Sequence, residues 1–281
     1  MNSNLTIVFV TYHSEKKLKK YLNQFKGLFK VIVVENSGNK ELIKYEKKFS
    51  NIRIIINKKN TGFGSGANLG LSKVKTKYAL HIDLDTSLSN KSIKELIFNA
   101  KKIQNFAIMG PKIKNFNYNK KHFLKKNVFK NTDEMNFIDG CCLLFNMHQM
   151  KKIGFFDSNF FLYFEETDLI KRCIDNSKKV LMINNIKIYH QGRSSSSSKL
   201  DSIIEENRNW HYMWSKFYFF KKHYGYLFAS LIISKHLSSS LIKFLFFLFK
   251  DDLIKKRKYR ARLSGCLNGL FLKKAWFRPK I

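Results

Sequence analysis

Two aspartates one residue apart, Asp83 and Asp85, end the apolar run in ALHIDLDTSL (residues 79–88). In an extended chain, residues two apart point the same way, so both carboxylates face one side. Close carboxylates repel unless a cation joins them, and a hard divalent ion shared with a phosphate group does so. Such an ion neutralises a diphosphate leaving group. The competing reading is a solvated turn ahead of a helix capped by Ser89 or Asn90, because D-x-D alone is a common spacing.

Three further clusters could carry chemistry. In FFLYFEETDLIKRC (160–173) an aromatic run delivers Glu165, Glu166 and Asp168 to what reads as a helix start. A helix N-terminus favours negative charge, so capping accounts for one of them. The cluster is more acidic than one cap requires, and a carboxylate against an apolar wall is a general base toward a hydroxyl. The loop NTGFGSGANLG (60–70) carries Gly62, Gly64, Gly66 and Gly70, which permit left-handed backbone and close approach. It could cradle a phosphate or sugar at a helix start, or be a flexible turn. It matches neither the P-loop nor the dinucleotide fingerprint. His190 ends an apolar run; alone it reads as structural, but an aspartate pair awaiting a third ligand raises its standing. His13, His81, His122 and His148 have no such context.

The elements that must position these residues are legible as β-branched and aromatic runs at 5–12, 31–35, 52–56, 78–82 and 106–109. Helical spacing, as at Leu18, Leu22 and Phe25, separates most of them, the pattern of an α/β fold with a mainly parallel sheet. Ligands bind beyond the carboxyl ends of such strands, where Thr11, Glu35 and Asp83 stand. Residues 115–135, rich in Asn and Lys, read as a mobile loop. A strand is expected at 137–145 and a helix at 165–174. Two short strands, 180–183 and 186–190, are expected to form a hairpin about Asn184 and Asn185. The serine run at 192–199 reads as a flexible link, dividing a catalytic region, 1–198, from a basic, aromatic helical region, 199–281.

With 281 residues and 44% hydrophobic content, the chain can bury a real core. Its 53 Lys and Arg against 20 Asp and Glu give a formal charge of +33, which attracts nucleic acid, acidic lipid or nucleotide-bearing substrates. The charge is spread along the chain, as a compositional bias would also leave it. Four cysteines lack C-x-x-C spacing, which excludes zinc ribbons and disulfide scaffolds and fits a reducing cytosol. Residues 1–11 are too short and too soon polar for a signal peptide. Lys235, His236 and Lys243 interrupt the apolar peaks of the last region, so no clean span of about 20 apolar residues is expected. Residues 218–249 are instead expected to lie on an anionic membrane surface with their lysines snorkelling, or to pack as an ordinary helical subdomain.

Taken in order, these motifs resemble the family-2 glycosyltransferases of the GT-A fold, nearest the rhamnosyltransferase-like branch that builds bacterial surface polysaccharides and lipopolysaccharide. The resemblance runs from Leu5 to about Gly192. It implies nucleotide contacts at Thr11 and Glu35, where the family more often has aspartate in VVDNS. Donor binding is implied for Asn60, Gly62, Gly64, Gly66, Asn68 and Gly70. Asp83 would face the donor, with Asp85 the more direct ligand of Mg²⁺ or Mn²⁺ and His190 a further ligand. The family's FFMYFEDxD places the catalytic base on Glu166, one methylene longer than the usual aspartate, with Glu165 and Asp168 beside it.

The resemblance therefore implies an inverting transfer from a nucleoside-diphosphate sugar to a hydroxyl of a lipid-linked saccharide. The enzyme would be cytoplasmic, peripheral on the inner face of the cytoplasmic membrane. A sugar-phosphate nucleotidyltransferase would want a glycine-rich basic loop after the first strand, and TYHSEKK has no glycine. A basic nucleic-acid-binding protein explains the charge but not Glu165 to Asp168, and no nucleic-acid motif is visible, so nucleic acid is not an expected partner.

Overall fold

The structure, a computed structural model, describes residues 2–103, 105–192 and 201–278. Residues 193–199 of the expected serine link therefore lie outside the described residues. The chain divides into two compact units, one of residues 1–156 and 166–196, the other of 157–165 and 197–281.

The first unit begins with β1 (Asn2–Thr11), α1 (Glu15–Phe25), β2 (Phe29–Glu35), α2 (Ile43–Lys48), β3 (Ile52–Ile56), α3 (Phe63–Leu71) and β4 (Tyr78–Ile82). It continues with β5 (Thr86–Ser87), α4 (Asn90–Lys102), β6 (Phe106–Ile113), β7 (Phe123–Phe129), β8 (Thr132–Met135) and β9 (Cys142–Asn146). After α5 (Met147–Ile153) come α6 (Glu165–Asp175) and β10 (Lys179–His190). The sheet order is β3-β2-β1-β4-β9-β6-β10-β8-β7, with β5 paired to β10. β3, β2, β1 and β4 are mutually parallel, β6 and β10 are parallel, and antiparallel β9 sits between the two groups.

Strand alternation divides the core. Leu5, Ile7 and Phe9 of β1 pack with Leu18, Leu22 and Phe25 of α1 and with Ile93, Leu96 and Ile97 of α4. Val8 joins Ala67 and Leu71 of α3, Met147 and Met150 of α5, and Leu169 and Ile170 of α6. Helices thus cover both faces, and the ends of β1, β2 and β4 emerge side by side where Thr11, Glu35 and Asp83 were expected to mark a site.

Three local expectations are corrected. Residues 115–135 are not one loop but contain β7 and β8; the side chains of β7 are mostly exposed, so no apolar alternation announces this edge strand. The strand expected from 137 starts at Cys142, because Asp139 to Cys141 forms a turn in which the Asp139 carboxylate accepts from Cys141 N–H at 2.9 Å. The expected hairpin is one strand, β10, whose register to β6 slips between Ile183 and Lys187. Asn184 is held across that irregularity by Asn131 O and by the Asp133 carboxylate (2.8 and 2.9 Å).

The second unit comprises α7 (Asp201–Tyr224), α8 (Tyr226–Leu248) and α9 (Leu253–Leu270), with the aromatic segment 157–165. Ser215 Oγ donates to Leu162 O at 2.8 Å, and Tyr218 and Lys222 both donate to the Asp157 carboxylate. By length and composition α8 is long and apolar enough to cross a bilayer, with mean hydropathy 1.5, which corrects the expectation that no such stretch exists. Its two lysines, Lys235 and Lys243, are too few to offset the surrounding Leu, Ile and Phe.

Candidate active site

Past β4 the chain turns: Asp83 N–H donates to Cys141 O, and Thr86 N–H to Asp83 O. Gln191 N–H donates to Asp85 O, and His190 pairs with Thr86 in the short β5–β10 ladder. This brings His190, more than a hundred residues downstream, onto the aspartate pair. Its Nε2 lies 3.2 Å from Asp85 Oδ1 and 3.9 Å from Asp83 Oδ2. One donor atom each from Asp83, Asp85 and His190 falls within 4.8 Å of the others. Asp85 is buried, whereas Asp83 and His190 keep some exposure. Ser89, one of the two caps that the competing solvated-turn reading named, caps α4 by accepting from Ser92 N–H.

Two residues that sequence reasoning left out join this cluster. Asp139 Oδ1 lies 3.5 Å from His190 Nδ1. His81, buried in β4, places Nδ1 3.2 Å from Val8 O and Nε2 3.1 Å from Asp83 Oδ1. The only signal for Asp139 was an acidic residue before a glycine at the mouth of a buried strand. Hydrogen bonding of the ring to the Asp139 and Asp85 carboxylates, which accept, outweighs burial and pushes the His190 pKa up to about 10. Burial pushes both carboxyls up, but the hydrogen bonds and charge of His190 hold them below the usual range. Two carboxylates and an imidazole nitrogen are a fitting donor set for a divalent cation shared with phosphate oxygens.

Beside this cluster, the end of β1 carries the Thr11 hydroxyl, buried without a hydrogen-bond partner among the described residues. Glu35 is buried, and its carboxylate accepts from Ser37 N–H, Ser37 Oγ–H and Asn39 N–H, so it organises its own turn. Asn36, the next residue, anchors the glycine loop by donating to Asn60 Oδ1 and Gly62 O. Gly62 adopts φ 87°, which L side chains rarely tolerate, and Asn60 accepts its N–H at 2.9 Å. Gly64 and Gly66 are buried in the first turns of α3. A Cβ on Gly70 would stand 2.6 Å from Val8 Cγ1, so this glycine serves helix–sheet packing. The Asn68 amide exchanges two hydrogen bonds with the Phe156 backbone (2.8 and 3.0 Å), which fastens α3 to the chain after α5.

The acidic trio separates. Asp168 is fully buried against Arg172 (2.8 Å), whose guanidinium also donates to the carbonyls of Ile153, Gly154 and Phe155. Glu165 is buried and groups with the second unit, behind Tyr163 and Phe164, both at positive φ. Glu166 is half-buried: Gly140 packs on it, a Cβ there standing 3.5 Å from its Cβ and Cγ. Burial first, then the Asp139 charge, push its carboxyl up to about 7. A carboxylate with a pKa near neutrality is suited to accept a proton from a hydroxyl.

The family model for glycosyl transferase family 2 matches residues 6–166. That is more than half of the chain. This protein is a family-2 glycosyltransferase. The matched stretch holds Asp83, Asp85 and the glycine loop and ends on Glu166, while His190 lies beyond it. The glycosyltransferase is 24% identical over 192 residues to the low-salt glycan biosynthesis hexosyltransferase Agl10 of Haloferax volcanii, an alignment covering 61% of this chain and 62% of that relative. Among solved structures it is similar to the mannosyltransferase PcManGT from Pyrobaculum calidifontis in complex with GDP-Man and Mn²⁺ (TM-score 0.57, 10% identity, 98% and 89% of the two chains). Residues 1–349 of TarS from S. aureus give TM-score 0.55 at 12% identity over 95% and 81%. These likenesses establish the GT-A-type fold, with its central sheet flanked by helices.

Proposed function

We propose that this enzyme transfers a hexose, with inversion, from a nucleoside-diphosphate sugar to a hydroxyl of a saccharide acceptor. The observation that carries the reading is the Asp139–Gly140 turn. It approaches His190 through Asp139 and packs on Glu166 through Gly140, so the aspartate–histidine cluster and the half-buried carboxylate are neighbours. Asp83, Asp85 and His190 would hold a divalent cation, Mg²⁺ or Mn²⁺, which when bound offsets the charge of the departing diphosphate. Glu166 takes the proton of the acceptor hydroxyl. The acceptor oxygen bonds to the anomeric carbon from the face opposite the leaving group, and the pair of the breaking C–O bond departs on the diphosphate. Thr11, Glu35 and the Asn60–Gly66 loop line the nucleotide side, the loop held by Asn36. The GDP-Man and Mn²⁺ in the complex of the mannosyltransferase PcManGT support the cation and donor assignments. The family assignment sets this reading above a nucleotidyltransferase or a nucleic-acid binder.

The test is a screen of nucleotide sugars for donor hydrolysis and transfer, with Mn²⁺ and in excess chelator. Asp85→Ala is expected to abolish the cation-dependent activity while the protein stays folded. Full wild-type activity in chelator would refute the cation role.

The acceptor is proposed to be lipid-linked, with the enzyme on the cytoplasmic face of an anionic membrane. Supporting this, Leu227, Leu231 and Ile242 expose their side chains along α8 and Phe249 does so just past its end, and Lys255 to Lys258 follow at the start of α9. Each basic residue near an anionic surface adds about 1 kcal/mol, lost with salt. Co-sedimentation with acidic liposomes that weakens steeply with salt is the expected result. No binding at low salt would leave the helices as a packed subdomain, and retention at high salt would indicate insertion.

A further inference from the structure

His190 is fixed at its backbone before its ring is considered. Its N–H donates to Asn115 Oδ1 (3.2 Å), its carbonyl accepts from Asn115 Nδ2 (2.6 Å), and it pairs with Thr86 across the β5–β10 ladder. What these contacts leave open is the rotation and tautomer of the imidazole. Asp139 lies against Nδ1, on the ring edge away from Asp83 and Asp85, which face Nε2. A carboxylate only accepts, so a proton on Nδ1 satisfies it. That leaves the Nε2 lone pair for a ligand on the aspartate side. Asp139 is itself immobilised, because the same Oδ1 accepts from Cys141 N–H at 2.9 Å. Cys141, which also lies near His190 and Asp139, is buried, and its soft sulfur is a poor ligand for a hard ion.

We propose that Asp139 is a positioning residue of the cation site: it accepts from His190 Nδ1–H and thereby aims Nε2 at the space between Asp83 and Asp85. The inference rests on the cation reading of those three residues. Carboxylates behind metal-ligating histidines set ring orientation and raise ligand basicity, and their loss weakens metal binding by about 10–100-fold.

The experiment is a Mn²⁺ titration of the full chain, with free Mn²⁺ read by electron paramagnetic resonance. The wild type is compared with Asp139→Asn, His190→Ala, the double variant and Asp85→Ala. Asparagine keeps an acceptor for Cys141 N–H, and circular dichroism confirms the fold. Asp139→Asn is expected to weaken Mn²⁺ binding about 10–100-fold in the native background and less than about twofold in the His190→Ala background. Equal losses in both backgrounds would mean that Asp139 acts by its charge or as a ligand, which overturns the proposal. So would an Asp139→Asn variant that binds like the wild type. A wild type that binds no better than Asp85→Ala would remove the cation reading itself, and the proposal with it.

Discussion

Glu166→Gln separates the cost of burying the proposed catalytic base from its use. In the folded chain the carboxyl's pKa is raised from 4.5 to about 7, mainly by burial. Between those values the folded protein holds a proton that the unfolded chain has released, so stability falls as pH rises and the full cost is reached above pH 7. At about 1.4 kcal/mol for each tenfold change in proton affinity, the rise from 4.5 to about 7 gives about 3.5 kcal/mol. Solvent reaching the half-buried side chain trims this to about 2–3 kcal/mol. Glutamine carries no charge to desolvate and still accepts from Thr167 Oγ–H, which lies 3.2 Å from Glu166 Oε1. Glu166→Gln is therefore expected to match the wild type near pH 4.5 and to exceed its stability by about 2–3 kcal/mol above pH 8. Urea unfolding in chelator at a series of pH values measures this. Turnover should fall by about 10²–10⁴-fold with donor affinity nearly unchanged. A stability difference independent of pH, or a less stable variant at pH 9, would refute the burial argument. Unchanged turnover would move the base to Glu165 or reduce the cluster to a cap.

Other outcomes follow from the same geometry. Under the proposed cation site, Mn²⁺ would displace the Nε2 proton of His190, whose pKa is pushed up to about 10 by Asp139 and Asp85, so apparent affinity should climb about tenfold per pH unit between about 7 and 9. Calorimetry in buffers of different ionisation enthalpy would read the released proton, and pH-independent binding would contradict the assignment. Asp168→Asn leaves Arg172 without its buried partner and should cost about 3–5 kcal/mol in urea unfolding; an unchanged midpoint with lost turnover would instead make Asp168 catalytic. Gly70→Ala places a methyl 2.6 Å from Val8 Cγ1 and 3.1 Å from Val34 Cγ2 and should destabilise by about 1–3 kcal/mol. Equal stability would show that α3 can move off the sheet.

Local pattern carried much of this protein. Continuous apolar runs determined β2 and β4 because a strand buried on both faces must be apolar along nearly its whole length, and the polar residues that end them were visible for the same reason. The glycine loop and the D-x-D pair were legible because their chemistry is spaced within a few residues. Tertiary structure decided what depends on distant partners. β7 escaped detection because an exposed edge strand is held by its backbone ladder and needs no apolar alternation. His190 reaches Asp85 through strand pairing across about a hundred residues, and Asp139 reaches His190 from a third segment. The roles of Glu166 and Asp168, two residues apart on one helix, also parted only in three dimensions. Their two-residue spacing, just over half a helical turn, aims one toward the Asp139–Gly140 turn and the other onto Arg172, and a carboxylate's chemistry follows from what surrounds it.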